Sequence, residues 1–154
     1  MTDVFISYSS KDSEPAKKLY SLLHSVGVDT FLAEISIKSS DKWKEKIVAQ
    51  MNEAKWVILL MSRNASKSMA VAHEIGAAIF SKKNMHVIIW DMEPNEIPSW
   101  IQDIQVINLA KGEQYKVNEL INELSRKVKI QKWIIVALVM GVIAWIMYKI
   151  VKRP

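Results

Sequence analysis

The stretch WVILLMSRN, Trp56–Asn64, decides how the rest of the chain is read. Its apolar run, Trp56–Ser62 (WVILLMS), has amphipathic segments on both sides. A short apolar run bounded in this way is a strand candidate. Strands that alternate with helical stretches build a parallel sheet covered by helices. Working outward, four further runs have the same character: Val4–Tyr8 (VFISY), Val28–Phe31 (VDTF), Met85–Trp90 (MHVIIW) and Gln105–Leu109 (QVINL). Five parallel strands with short crossovers predict an α/β, flavodoxin-like doubly wound sheet of order 2-1-3-4-5 with helices on both faces.

Helices are expected between the strands. Asp12 or Ser13 can cap a first helix through Val26, with Ala16, Leu19, Tyr20, Leu23 and Val26 at helical spacing and Gly27 as its stop. Asp41 can cap a second, with Trp43, Ile47, Val48 and Met51 facing inward, and Ser68 a third, with Val71, Ile75, Ala78 and Ile79 as its stripe. The segment Met92–Ile104 holds two prolines and reads as irregular. A last helix from about Tyr115 carries Val117, Leu120, Ile121, Leu124 and Val128 on one side. Nothing after it would break the helix before the apolar run that follows.

That run, WIIVALVMGVIAWIMY from Trp133 to Tyr148, contains no charge, and Ile150 and Val151 extend it past Lys149. About 19 residues give roughly 28 Å of helix, enough for a bilayer core. Trp133, Trp145 and Tyr148 sit near its ends, as interfacial aromatics do. The expected organisation is a domain over 1–129 and a C-terminal transmembrane anchor with a short basic tail over 130–154. With no N-terminal signal peptide evident, the expected placement is single-pass in the cell membrane with the domain on the cytoplasmic side.

Charge and composition narrow the function classes. The net charge is +5, but residues 130–154 hold four bases and no acid, leaving 17 bases against 16 acids in the first 129. The basicity belongs to the tail, so nucleic acid is not an expected partner. Cysteine is absent, and the three histidines, His24, His73 and His86, lack metal-ligand spacing; no metal and no cofactor are expected. The four glycines, Gly27, Gly76, Gly112 and Gly141, are too dispersed for a dinucleotide or phosphate loop. The middle strand ends in Ser62 and Arg63 rather than the aspartate of a phosphate-accepting receiver, and no nucleophile elbow is present.

Three blocks, DVFISYSSKD, GVDTFLAEISIKSSDKWKEKI and WVILLMSRNASKSMAVAHEIGAAI, resemble the Toll/interleukin receptor (TIR) domain, particularly its bacterial members, over roughly residues 3–110. In the second block Glu34 and Trp43 match the family's loop region, while Ser39 and Ser40 stand where glycine is common. In the third, Ser68 and Glu74 have the family's serine-to-glutamate spacing, and Ala70 replaces a common aromatic. Many TIR domains cleave NAD+ between nicotinamide and ribose with this glutamate; others are assembly scaffolds. The resemblance therefore implies Glu74 as the catalytic residue, with Ser68, Glu34 and Trp43 near a site for NAD+ as substrate.

The doubly wound order supplies a separate reason for that location. Its switch-point crevice lies beyond the carboxyl ends of the first and third strands, at Tyr8, Ser9, Ser10 and Lys11 and at Ser62 and Arg63. The loop from Glu34 to Asp41, with Lys38, can close over it. Simpler roles stand beside these: Ser9 and Ser10 as turn formers, Trp43 as core, Lys38 as an exposed loop charge, Glu74 as a solvated helix position. The leading expectation is a membrane-anchored NAD+ nucleosidase, acting by hydrolysis or cyclisation in bacterial immune defence or signalling. It would be switched on by self-association, with a separate sensor or activator. A non-enzymatic TIR–TIR scaffold, or clustered transmembrane helices that perturb the bilayer, are the alternatives.

Overall fold

A computed structural model describes residues 2–35, 41–67, 84–93, 96 and 105–151 of the 154-residue chain. Strands β1 (Val4–Ser9), β2 (Thr30–Ile35), β3 (Trp56–Met61), β4 (Asn84–Ile89) and β5 (Gln105–Asn108) form one sheet. Its order is β2-β1-β3-β4-β5, with every pairing parallel, as the alternating pattern predicted. The expected third helix, with Val71, Ile75, Ala78 and Ile79, and most of Met92–Ile104 lie outside the described residues.

Side chains alternate across each strand, so one sequence supplies two buried faces. Val4, Ile6 and Tyr8 of β1 join Trp56, Ile58 and Leu60 of β3, Ile88 and Ile107 in one core cluster. Helix α1 (Ser13–Ser25) covers that face with Ala16, Leu19 and Leu23, and helix α4 (Gln114–Val151) with Leu120, Ile121, Leu124 and Val128. On the opposite face Phe5, Ala33 and Val57 pack against Ile47 and Met51 of α2 (Asp41–Glu53). Beside them Leu59, Met61, Val87 and Ile89 meet Met92 and Ala65, the latter from the short helix α3 (Arg63–Ser66).

Three local expectations need correction. The second strand pairs over Thr30–Ile35 rather than Val28–Phe31: the Val4 amide, donating to the Asp29 carbonyl, opens the ladder at the Val4–Thr30 pair, and pairing continues to Ile35 opposite Ser9. Val28 is buried without being in the ladder. Val48 is 47% exposed: it follows Ile47 by one residue, a rotation of about 100°, and turns out of the inward face. Asp12 occupies the position before α1 but makes no side-chain cap there, since its carboxylate is engaged elsewhere. The stop at Gly27 holds: its φ of +82° is the left-handed conformation that ends a helix at little cost only for glycine.

Helix α4 is one continuous element of 38 residues. It starts just past the carboxyl end of β5, runs back along the sheet, and passes the turn before β2, where Ser125 Oγ donates to the Val26 carbonyl at 3.0 Å. It therefore leaves the sheet at the amino edge. From Ile130 to Trp145 its apolar side chains are exposed, and the helix is long and apolar enough to cross a membrane.

Candidate functional site

At the opposite, carboxyl edge the chain reverses after β1 and after β3, the two strands flanking the point where the winding changes direction. Beyond β1 a single 3-10 turn, Ser10–Asp12, leads into α1. Beyond β3, Ser62 caps α3: its Oγ accepts from the amides of Asn64 at 3.1 Å and Ala65 at 2.9 Å. The same hydroxyl donates to Asp12 Oδ2 at 2.5 Å, and Asn64 Nδ2 reaches Asp12 Oδ1 at 3.5 Å. Asp12 and Ser62 are both 0% exposed. A carboxylate removed from water at this depth needs such donors, and here they lock the two reversals together across the switch point.

A second tie holds the next reversal. The amide of Arg63 donates to Asp91 Oδ1 at 3.0 Å. Its guanidinium forks onto Glu96, with Nε to Oε1 and Nη2 to Oε2 both at 3.0 Å, and Glu96 also accepts from the Glu93 amide at 2.8 Å. The hydrogen bond from Arg63 holds the Glu96 carboxyl below the usual carboxylate range, helped by the Glu93 amide, while Glu96 in turn raises Arg63. The carboxyl ends of β1, β3 and β4 are thus joined by side chains as well as by the ladder.

Tyr8, Ser9 and Ser10 come to this edge together. Tyr8 is buried on the α1 and α4 face, Ser9 is buried, and Ser10 and Lys11 are exposed at the mouth. Glu34 lies in register with Tyr8 on the edge strand β2, one residue before its end. Trp43 falls in the first turn of α2, four residues before the buried Ile47. Lys38, Ser68 and Glu74 lie outside the described residues. The edge offers hydroxyls and an exposed ammonium, groups suited to a ligand that carries hydroxyls and phosphates. Among the described residues no set of three His, Asp or Glu side chains gathers to hold a metal ion.

Sequence reasoning passed over the Asp12–Ser62 tie and over Ser7. Asp12 looked like a helix cap, and only the adjacency of β1 and β3 reveals its other partner. Ser7 is buried on the same face of β1 as Ser9, and its Oγ has no hydrogen-bond partner among the described residues. The signal available was a serine between Ile6 and Tyr8 in an otherwise apolar run.

Comparison with known proteins agrees with this architecture. A family model described as the TIR domain matches residues 4–125. A curated relative from Brachypodium distachyon, named a probable 2′ cyclic ADP-D-ribose synthase, is 25% identical over 118 residues, 74% of this chain and 53% of that protein. The chain thus spans about half the length of the curated relative it matches. The TIR domain of the Toll-related receptor TRR-2 from Hydra magnipapillata superposes with a TM-score of 0.63 at 17% identity, covering 80% of this chain and 98% of that one. A TIR domain of the RPS4 and RRS1 heterodimer does so with a TM-score of 0.62 at 11% identity, covering 82% and 97%. With its sheet order, its switch-point edge and a family match across most of its length, the chain belongs to the TIR domain family.

Proposed function

We propose that this chain is a membrane-anchored TIR domain that cleaves NAD+ at the nicotinamide–ribose bond when copies associate, in bacterial defence or signalling. The observation that carries the proposal is the 118-residue similarity to a relative named a probable 2′ cyclic ADP-D-ribose synthase, since making such a product from NAD+ requires breaking this bond. The bond's electron pair leaves with the nicotinamide nitrogen, which becomes neutral, and the ribose takes on oxocarbenium character. Glu74 is assigned to stabilise that charge and hold the ribose hydroxyls, by analogy with glycoside hydrolysis. Water then gives ADP-ribose, or a hydroxyl of the same molecule closes a ring, and either acceptor loses a proton. Ser9, Ser10 and Ser68 are assigned to hydroxyl and phosphate contacts, and Tyr8, Glu34, Lys38 and Trp43 to the walls and loop of the site.

Association between TIR domains has a precedent in the RPS4 and RRS1 TIR domain heterodimer, a solved structure of this fold. Membrane confinement raises effective concentration, so a weak contact between domains becomes a productive one. The domain is assigned to the cytoplasmic side, with a separate molecule as trigger.

The test is NAD+ consumption by purified full chain, with and without enforced clustering, with products separated by chromatography. Clustered wild-type protein is expected to consume NAD+, and Glu74→Ala to lose roughly a hundredfold or more of that rate. Absence of turnover under every clustering condition would overturn the enzyme reading. Turnover that survives Glu74→Ala would overturn the assignment of the carboxylate.

A further inference from the structure

Where α4 leaves the sheet, a cleft of about 570 Å³ opens between this helix and the turn that follows α1. Ser25 and Val26 form one wall; Asn122, Ser125, Arg126, Lys129, Ile130 and Trp133 of α4 form the rest. The α4 residues fall at spacings of three and four, so they make a single stripe along the helix. That stripe changes character along its length. It is polar at Asn122 and Ser125, cationic at Arg126 and Lys129, and apolar at Ile130 and Trp133, where the exposed run begins.

The cations are placed for an anion from outside the chain. Residues 126–132 hold Arg126, Lys127, Lys129 and Lys132 and no acid. Lys127 is paired with Glu123 at 2.6 Å, and Lys132 Nζ donates to the Gly27 carbonyl at 3.3 Å. That second contact puts positive charge at the carbonyl end of α1, so an anion in the cleft does not face bare carbonyls. Arg126 and Lys129 make no ion pair with an acid within 4.0 Å among the described residues, although Arg126 contributes to the field that lowers Glu123. Trp133 is 73% exposed at the rim, the position where an indole meets the headgroup layer.

We infer that this cleft binds the phosphate headgroup of an anionic phospholipid, with Arg126 and Lys129 on the phosphate oxygens and Ile130 and Trp133 against the upper acyl chains. Seated there, the lipid joins the turn after α1 to the helix at the point where the chain enters the bilayer. The inference rests on the anchor reading, because the apolar rim has a lipid to meet only if the exposed run of α4 is in a membrane. A basic cluster next to a spanning segment draws anionic lipid at about 1 kcal/mol per charge. The cleft adds to this a defined place for one headgroup.

The test uses the full chain in nanodiscs of phosphatidylcholine with increasing phosphatidylglycerol, read by hydrogen–deuterium exchange over residues 22–30 and 122–132. Anionic lipid is expected to slow exchange in both segments of the wild type. In Arg126→Gln/Lys129→Gln the lipid fraction needed for half of this protection should rise roughly fivefold per lost charge, with insertion unchanged. Equal protection in neutral and anionic discs would overturn the lipid site while leaving the anchor intact. Protection in neutral discs produced by millimolar inorganic phosphate would also overturn it, by making the cleft a site for free anions. Failure of the wild type to stay with the discs would overturn the anchor and the lipid site together.

Discussion

Asp12 and Ser62 show how much of the carboxyl edge depends on single side chains. One hydroxyl caps α3 and donates to a fully buried carboxylate, so Ser62→Ala removes a cap and leaves Asp12 short of a donor at once. We expect a loss of about 2–4 kcal/mol, measured by urea denaturation. Asp12→Asn keeps the shape but gives up the charge-assisted bond and should cost less than Ser62→Ala. These residues also mark where local sequence reading ends. An aspartate followed by serine before a helix has a sufficient local explanation as a cap, whereas its actual partner is fifty positions away. The position of Ser9 and Ser10 at the end of β1 is legible because a terminus of an apolar run is a local property. Glu34 came to the same edge because parallel pairing carries register from one strand to the next.

At the scale of elements, the apolar runs of β1, β3 and β4 were readable because strands buried on both faces have little room for polar residues. The bounds of the second strand are less legible because it is an edge strand of mixed polarity, and its first pairing residue is set by the Asp29 carbonyl rather than by hydrophobicity. Helix α4 combines two legible patterns, a one-sided stripe and then an all-round apolar run, in one unbroken rod. Its two halves should respond differently to truncation. Leu124→Ala, at a core position, is expected to destabilise the detergent-solubilised chain by about 2–5 kcal/mol, and Leu138→Ala, on the exposed run, to change it by less than about 0.5 kcal/mol. Thermal denaturation of both variants checks this.

The start of the rod should sense acid. Glu113 accepts from Lys116 Nζ at 2.6 Å and from the Asn108 amide at 2.8 Å, joining the end of β5 to the first turn of α4. The Lys116 contact first, and the Asn108 amide second, hold its carboxyl below the usual range. A carboxyl lowered in the folded state adds stability that is present above the ordinary glutamate value of about 4.3 and is lost as pH falls through the lower folded value. Glu113→Gln should therefore lower the urea midpoint at pH 7 and flatten its decline between about pH 5 and pH 3. An unchanged acid limb in the variant would assign that decline to other carboxyls.

For the whole molecule, direction matters more than any single contact. The sheet's carboxyl edge carries the candidate site, and α4 runs from that edge past the other before its apolar half begins. About 15 residues from Gln114 to Val128 give roughly 22 Å of rod alongside the sheet. If the apolar half is held in a bilayer, such a domain presents its carboxyl edge to the aqueous side, away from the lipid. The unbroken rod also changes the geometry of encounter. Two free domains must match three coordinates of position and three of orientation, but two domains on stiff posts in one plane have only two coordinates of position and a spin about the post left to match. On the proposed reading, a trigger acting on such posts would have little left to do except bring them to the same spot facing the right way.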